Sequence, residues 1–220
     1  MFARFTVVAL LACFLTLMTL CRAAEADKDK PLPEGLAKAQ KAVSDELAKQ
    51  NANGGRVNPV EDDAVSKIVA DYQFVAVVFS PYPVARPAPK GFSQANVYAV
   101  SKDGTLKLLT TPEELQKFFA ANAAPAKDEK SAKQALSAWL RLTQEFSQDG
   151  FFEFAVDADS LKVEKEKQGL KASGTNAVVQ KNRNKGEIKA TLTFDGDGKL
   201  TKVDETRNVE AGDRPKVLER

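Results

Sequence analysis

Periodic and alternating apolar positions divide the second half of the chain into one long helix and a series of strands. Over residues 128–146, apolar side chains recur every three or four positions, which is the spacing of a single helix face. Strand-like segments follow between turns rich in Asp, Gly and Asn: 151–156, 161–166, 170–179, 186–194 and 200–209. Residues 188–194 alternate apolar with polar, so one sheet face should be buried and the other solvated. The pattern predicts an α+β fold, with an antiparallel β-sheet meander packed on a long amphipathic helix. This arrangement is cystatin-like or NTF2-like by analogy of fold alone.

Shorter elements in the first half predict a smaller αββα-type lobe. Asn58 followed by Pro59 favours a helix start, because Asn caps helices and Pro loses no hydrogen bond at the first helical position. The run 74–79 is apolar throughout, which is typical of a strand buried on both faces. Segments 96–100 and 105–109 flank an Asp-Gly turn and predict a hairpin.

A second helix in this lobe is indicated by its N-terminus. Thr111 with Glu114 three residues later forms a capping box, which is a helix-start signal. Segment 123–127 is rich in alanine and contains a proline, and it separates the halves of the chain. The halves should form either one compact two-lobed unit or two small domains. The predicted boundaries are 58–124 for the N-terminal lobe, 128–212 for the C-terminal lobe and 213–220 for a tail.

Residues 1–26 have the organisation of a secretory signal peptide. Arg4 precedes an apolar run over residues 5–21, and small residues then offer cleavage after Ala23 or Ala26. Because this run is shorter than the roughly 20 residues that span a bilayer, we expect cleavage and no stable membrane span afterwards. The mature protein would then be periplasmic or extracellular. An uncleaved anchor and a lipidated cysteine are the alternatives.

Residues 27–57 lack the apolar positions of a core. A charge run and two prolines lead into a segment, 34–50, whose apolar stripe is thin and padded with alanine. A helix there would be marginal unless it docks on another element. We therefore expect a flexible N-terminal leader between the signal peptide and the ordered domain.

Removal of the signal peptide would also remove the thiols. The chain has no His, and both of its cysteines, Cys13 and Cys21, lie within the signal. The exported protein would lack the side chains of catalytic triads and of most catalytic zinc sites, and it would contain no disulfide. The net charge would fall from +2 to +1 with the loss of Arg4, Arg22 and Glu25, which argues against nucleic acid as a partner. We expect no cofactor and no metal.

One acidic turn has a superficial likeness to a calcium loop. Asp195 and Asp197 match the first and third ligands of such a loop. Lys199 then stands at the fifth ligand position, and Leu200 stands where the loop needs glycine. A hairpin turn accounts for the whole segment.

Carboxylates are the remaining candidates for catalysis, and their spacing marks no pair. Glu153, Asp157 and Asp159 lie near the start of the second sheet, and Glu153 should face solvent. Trp139 is the chain's one tryptophan and falls on the apolar face of the long helix, which indicates a core anchor. No catalytic residue is predicted.

The most distinctive loop is the proline-rich segment 80–90. Its four prolines impose an extended backbone and cannot donate hydrogen bonds to a sheet. Tyr82, Arg86 and Phe92 would stand on this ordered ridge and lose little entropy on binding a peptide or glycan. A stiff crossover that covers one end of the sheet is the alternative.

Three segments carry a resemblance to known sequences: AWLRL at 138–142, QDGFF at 148–152 and KGEIKATLTF at 185–194. Together they resemble exported, signal-peptide-bearing proteins of planctomycete-type bacteria that have no assigned activity. The resemblance covers about residues 58–210. It implies an exported α+β domain and assigns no site residue.

These observations favour an exported, non-catalytic binding or structural protein of the cell envelope. Its partner would be an envelope protein, a peptide or a glycan. The alternative is a carboxylate-based (Asp/Glu) hydrolase that acts in a cleft of the curved sheet. Two acidic side chains converging in a deep pocket would favour the hydrolase, whereas an exposed surface at Tyr82, Arg86 and Phe92 would favour binding.

Overall fold

The computed structural model describes residues 31–79, 88–147, 153–179 and 185–210. The predicted signal peptide, the tail, both cysteines and two predicted site residues, Tyr82 and Arg86, lie outside these ranges. The chain divides into a unit Met1–Glu34, of which residues 31–34 are described, and a compact unit Gly35–Arg220. The compact unit is α+β with two antiparallel sheets, which confirms the predicted fold class.

Helices and strands are mixed in the first half of the chain, and the second half ends in a run of strands. The α-helices are α1 (Glu34–Lys49), α2 (Asp63–Ile68), α3 (Pro112–Asn122) and α4 (Glu129–Thr143), and 3-10 helices span Gln144–Ser147 and Ala158–Ser160. The first sheet has the order β1 (Gly55–Pro59), β2 (Tyr72–Phe79), β3 (Ala95–Ser101), β4 (Leu106–Leu109). The second sheet contains β5 (Glu153–Val156), β6 (Lys162–Glu166), β7 (Gly169–Val179), β8 (Lys185–Phe194) and β9 (Leu200–Glu210). Its order is β5-β7-β8-β9, and β6 also pairs with β7.

Strand β2 is buried on both faces, as its continuous apolar run predicts. Phe74 and Ala76 point into the main core with α2, α3 and α4, whereas Val75 and Val77 point to the opposite side. On that opposite side they meet α1. The first sheet therefore lies between a single helix and a layer of three helices, and this burial on both faces explains why β2 shows no polar alternation.

The predicted helix start at Asn58 is wrong. Asn58 and Pro59 are the last residues of β1, and they pair with Ala76 and Val75 of β2. The helix begins later, where the side chain of Asp62 accepts a hydrogen bond from the backbone N–H of Val65 at 2.9 Å. Pro59 is tolerated in β1 because this strand lies at the sheet edge, where a missing N–H leaves no gap in the ladder.

The segment predicted as a flexible leader contains α1 and β1. The apolar stripe of α1 is as thin as the sequence indicates, and it consists of Leu36, Ala39, Val43 and Leu47. All four residues are buried, and Ala39, Val43 and Leu47 pack against the first sheet. The helix therefore forms because it docks, which is the condition that the sequence sets for it.

The helix that follows the hairpin begins after the predicted N-cap, Thr111, but the reciprocal bond of the capping box differs. Thr111 accepts a hydrogen bond from the N–H of Glu114 at 3.3 Å, as a capping box requires. The Glu114 carboxylate accepts from the N–H of Thr110 at 2.7 Å and not from that of Thr111. Both carboxylate and hydroxyl still satisfy backbone donors at the helix start.

The second sheet wraps around α4. Buried Ala172, Ile188 and Leu192 face the helix, while the residues that alternate with them are solvated to varying degrees. Gly174 of β7 lies close to the helix, and a Cβ added there would lie 3.0 Å from Leu136 Cδ2 of α4 and 2.6 Å from Leu161 Cδ2. The absence of a side chain at Gly174 therefore lets the helix sit directly on the strand.

One core joins both sheets across the predicted boundary. The ring of Phe119 from the first half contacts Trp139 from the second, with centroids 5.6 Å apart in an edge-on arrangement. The connecting segment is bonded to both halves: the N–H of Ala124 donates to Ile68 O, and that of Ala126 donates to Gly198 O, each at 2.7 Å. The boundary at residues 123–127 therefore does not separate two cores.

Candidate functional site

Phe92 is the described member of the three predicted recognition residues. It is half-buried, and its ring packs edge-on against Phe79 with centroids 5.0 Å apart. It belongs to the apolar cluster that lies under α1. Phe92 therefore anchors the end of the proline-rich loop to the first sheet, while Tyr82 and Arg86 lie outside the described residues.

The carboxylates near the start of the second sheet serve local structure. The Asp157 side chain accepts a hydrogen bond from the N–H of Asp159 at 3.1 Å and caps a short 3-10 helix. Asp159 is exposed, and the backbone of Glu153 belongs to β5. These residues form no described constellation.

The acidic turn predicted as a hairpin forms one. Asp195 accepts hydrogen bonds from the N–H groups of Asp197 at 3.0 Å and Lys199 at 2.8 Å, and so its carboxylate closes the turn. Gly198 has a φ of 80°, and a Cβ there would lie 2.6 Å from Ala126 O. In the described ranges, no group of three His, Cys, Asp or Glu side chains is placed to hold a metal ion.

The most developed polar site joins the edge strand β9 to helix α4. Glu205 and Arg207 point toward the helix, because both pair with buried residues of β8. Glu205 Oε2 accepts from Trp139 Nε1 at 2.9 Å and from Thr143 Oγ1 at 2.8 Å. Its other oxygen accepts from Arg207 Nε at 2.5 Å. We call these four residues the β9 network.

Arg207 is held by the helix as well as by Glu205. Its guanidinium donates to Ser147 Oγ at 3.0 Å and to the carbonyl oxygen of Thr143 at 3.2 Å. The side chains of Glu205 and Arg207 are 12% and 26% exposed, so the pair is largely removed from water. The pair is neutral as a unit, and its geometry is fixed by hydrogen bonds on both sides.

An open cleft of about 490 Å³ lies over the β9 network. The start of α3 contributes Glu113 and Gln116 to one wall, and Asp204 of β9 contributes to its lining. Hydrogen bonds from its own backbone N–H and from the Thr111 hydroxyl lower the pKa of Glu113, and Arg207 adds to this effect. The cleft therefore presents two carboxyl groups outside the β9 network, an amide and the edge of an ion pair.

A second open cleft, of about 480 Å³, lies between α1 and the turn of the first hairpin. Its acidic residue is Asp103, which accepts from the Ser101 hydroxyl and from the N–H of Thr105 at 3.0 Å. These bonds, led by that from Ser101, lower the pKa of Asp103. The carboxylate is thus occupied by its own turn.

Tyr98 carries a buried hydroxyl that makes no hydrogen bond to a described residue. The residue as a whole is 2% exposed. Burial, and secondarily the negative charge of Glu46, raises the pKa of this phenol above its usual value. Buried hydroxyls are normally bonded, so this one marks a weak point under α1.

The sequence analysis did not find the β9 network, although one signal for it was present. Glu205 and Arg207 continue the alternation that begins at Val203, which places all three on one face of the strand. Charged side chains on a strand face solvent in most proteins, so this alternation alone does not predict burial. The helix residue that binds Glu205 lies 66 positions away, and no local pattern joins the two.

Comparison with known protein families, curated proteins and solved structures finds no match to this chain. Among the described residues, no helix combines the length and the apolar content needed to cross a membrane.

Proposed function

We propose that this protein is an exported, non-catalytic binding or structural protein of the cell envelope. The signal-peptide organisation of residues 1–26 supports the export. The observation that carries the rest is the state of Glu205, the most buried carboxylate in the cleft lining. Both of its oxygens are occupied by Trp139, Thr143 and Arg207.

A catalytic carboxylate needs either a free oxygen for the substrate or a raised pKa that keeps a proton available near neutral pH. Glu205 is bonded to three donors from its own fold, which supports a structural role. Glu113 has a lowered pKa, which makes it a poor general acid. The cleft is thus better suited to recognition by fixed hydrogen-bonding groups than to proton transfer.

The cleft wall supplies the acceptors that a peptide or glycan partner would need. Glu113, Gln116 and Asp204 present carboxylate and amide oxygens beside the rigid β9 network. Such groups bind amide N–H and sugar hydroxyl donors. A partner bound there would contact a surface already ordered by the fold.

One observation favours the hydrolase as a second candidate. Glu113 and Glu205 line the same cleft, and hydrolysis of a glycosidic bond uses a pair of carboxyl groups on either side of the scissile bond. This candidate requires Glu205 to exchange its present partners for a substrate.

Isolated envelope material distinguishes the two candidates. The purified chain is mixed with this material, co-sedimentation reports binding, and soluble sugar or peptide fragments report hydrolysis. Trp139 is the single tryptophan and lies in the cleft lining, so its emission reports occupation of the cleft. We expect co-sedimentation and a change in emission without fragment release.

Two variants and a control make the test specific. Glu113→Gln and Gln116→Ala should weaken sedimentation, whereas Glu187→Gln, in an exposed ion pair of β8, should not. Fragment release that disappears in both Glu113→Gln and Glu205→Gln would establish the hydrolase instead. Recovery of the intact N-terminus in a cytosolic fraction would overturn the export.

A further inference from the structure

Helix α1 packs in a cluster of its own. Three of its four buried residues, Ala39, Val43 and Leu47, belong with Val75, Val77 and Tyr98 on the outer face of the first sheet. The main core lies on the opposite face of that sheet and contains residues of the other three helices. The sheet backbone therefore separates the contacts of α1 from those of the rest of the molecule.

Helix α1 buries few of its residues for its length. Four of its 16 residues are buried, and one of these four is an alanine. Its side chains also reach the sheet through Gln40 Nε2, which donates to Val57 O at 3.2 Å. A helix of this length is marginal in water, so its order depends on this one stripe.

Helix α1 is also the first element of the compact unit. Among the described residues, the chain connects it to the other elements of that unit through residues 50–54, which lead into β1. A helix that is followed, and not preceded, by the described elements on which it packs can leave its site while they stay folded. The main core need not change when α1 departs.

We propose that α1 is a cover that opens as a unit while both sheets stay folded, and that the unpartnered hydroxyl of Tyr98 sets how easily it opens. In the closed state this hydroxyl is buried without a hydrogen bond. Opening returns it to water and removes that desolvation penalty. The burial of the α1 stripe opposes opening, and the balance between the two fixes the open population.

Opening changes the surface of the molecule in a defined place. It uncovers an apolar sheet face made by Val75, Val77 and Tyr98, and Phe92 lies at its rim on Phe79. The anchor of the proline-rich loop thus belongs to the same cluster as the cover. The opening of α1 does not depend on what binds in the cleft over the β9 network.

Hydrogen exchange of the purified chain, measured amide by amide, tests the proposal. Tyr98→Phe removes the unpartnered hydroxyl and keeps the ring, so α1 amides should exchange about tenfold more slowly, and β8, which opens only on global unfolding, should slow by no more than the same factor. Tyr72→Phe is the matched control, because that ring packs on Phe118 in the main core. It should leave exchange in α1 unchanged.

A second variant tests the opening unit directly. Val43 is fully buried in the α1 stripe, and Val43→Ala should speed exchange throughout α1 by about tenfold or more, while β8 still needs a higher free energy of opening than α1. Equal free energies of opening for α1 and β8 would show that the helix does not open separately. Unchanged or faster exchange of α1 in Tyr98→Phe would show that the hydroxyl is not the weak point.

Discussion

Glu205 and Arg207 place a charge pair on the inner face of β9, where the neighbouring strand presents apolar side chains. Strand β9 lies at the edge of the second sheet and is 11 residues long. Long edge strands tend to pair with other chains, and inward-pointing charges are one means of preventing this. The β9 network therefore has a structural purpose beyond its contact with Trp139: it makes the edge unsuitable for an added strand.

Loss of the negative charge in this network should destabilise the fold. Glu205→Gln keeps the shape of the side chain but leaves the mostly buried Arg207 without its counter-ion, which should lower the free energy of unfolding by roughly 1–3 kcal/mol. Urea unfolding followed by Trp139 fluorescence measures this change. Glu187→Gln breaks the exposed pair with Lys189 and should cost about 0–1 kcal/mol. Equal losses in the two variants would contradict the role of the network.

Tyr98 makes a prediction for alkaline solution. Burial, followed by the charge of Glu46, raises its pKa above the usual 10.0. Above that pH an opened α1 would let the phenol lose its proton, whereas the closed form retains it. The closed form should therefore lose stability as the pH rises from 10.0 towards the raised pKa.

Ultraviolet absorbance and far-ultraviolet circular dichroism test this prediction together. The difference in absorbance between the native chain and Tyr98→Phe isolates the ionisation of Tyr98. The ionisation of Tyr98 should begin above pH 10.0. The helix signal of the native chain should fall over the same pH range, whereas that of Tyr98→Phe should not. Ionisation at the usual pH without any loss of helix would contradict the account.

At the scale of residues, the sequence predicts features such as helix caps, which depend on neighbours in the sequence. The caps at Thr111 and Asp128 follow from residues within one turn. Asn58 has the same capping propensity, yet its pairing with Ala76 places it in a strand. The hydrogen bond of Trp139 to Glu205 and the burial of the Tyr98 hydroxyl are set by tertiary packing, so no local pattern could have identified them.

At the scale of elements, the contact between α4 and β7 depends on Gly174. An added methyl group would overlap Leu161 and Leu136, and Gly174→Ala should therefore cost roughly 1–3 kcal/mol in the free energy of unfolding. Urea unfolding measures the loss, and Ser173→Ala on the other face of the strand is the control. Leu161→Ala should recover part of the loss in the double variant. Fully additive losses would show that the methyl group does not meet Leu161.

Element type was predictable where periodicity is strong and long. The meander and α4 follow the predicted segments closely, because one buried face imposes a clear period on each. The pattern of α1 is weak, since alanine fills its stripe, and the sheet that orders it lies later in the chain. Strand β1 escaped prediction for a similar reason: a short edge strand with Asn and Pro has no period of its own.

At the scale of the whole molecule, the two sheets share one main core, and a smaller cluster lies under α1. Phe119 and Trp139 meet inside this core, and the connecting segment bonds to both halves. The composition of residues 123–127 marks the connection between α3 and α4. It carries no information on whether the halves share their buried surface. A shared core implies that neither sheet is stable alone.

Residue-resolved hydrogen exchange of the unmodified chain tests this claim most directly. The slowest amides of β2, in the first sheet, should give the same free energy of opening as those of β8, in the second, and both should equal the free energy of global unfolding. A free energy of opening for β8 clearly below that for β2, or the reverse, would show that the sheets unfold separately and that they do not share a cooperative core.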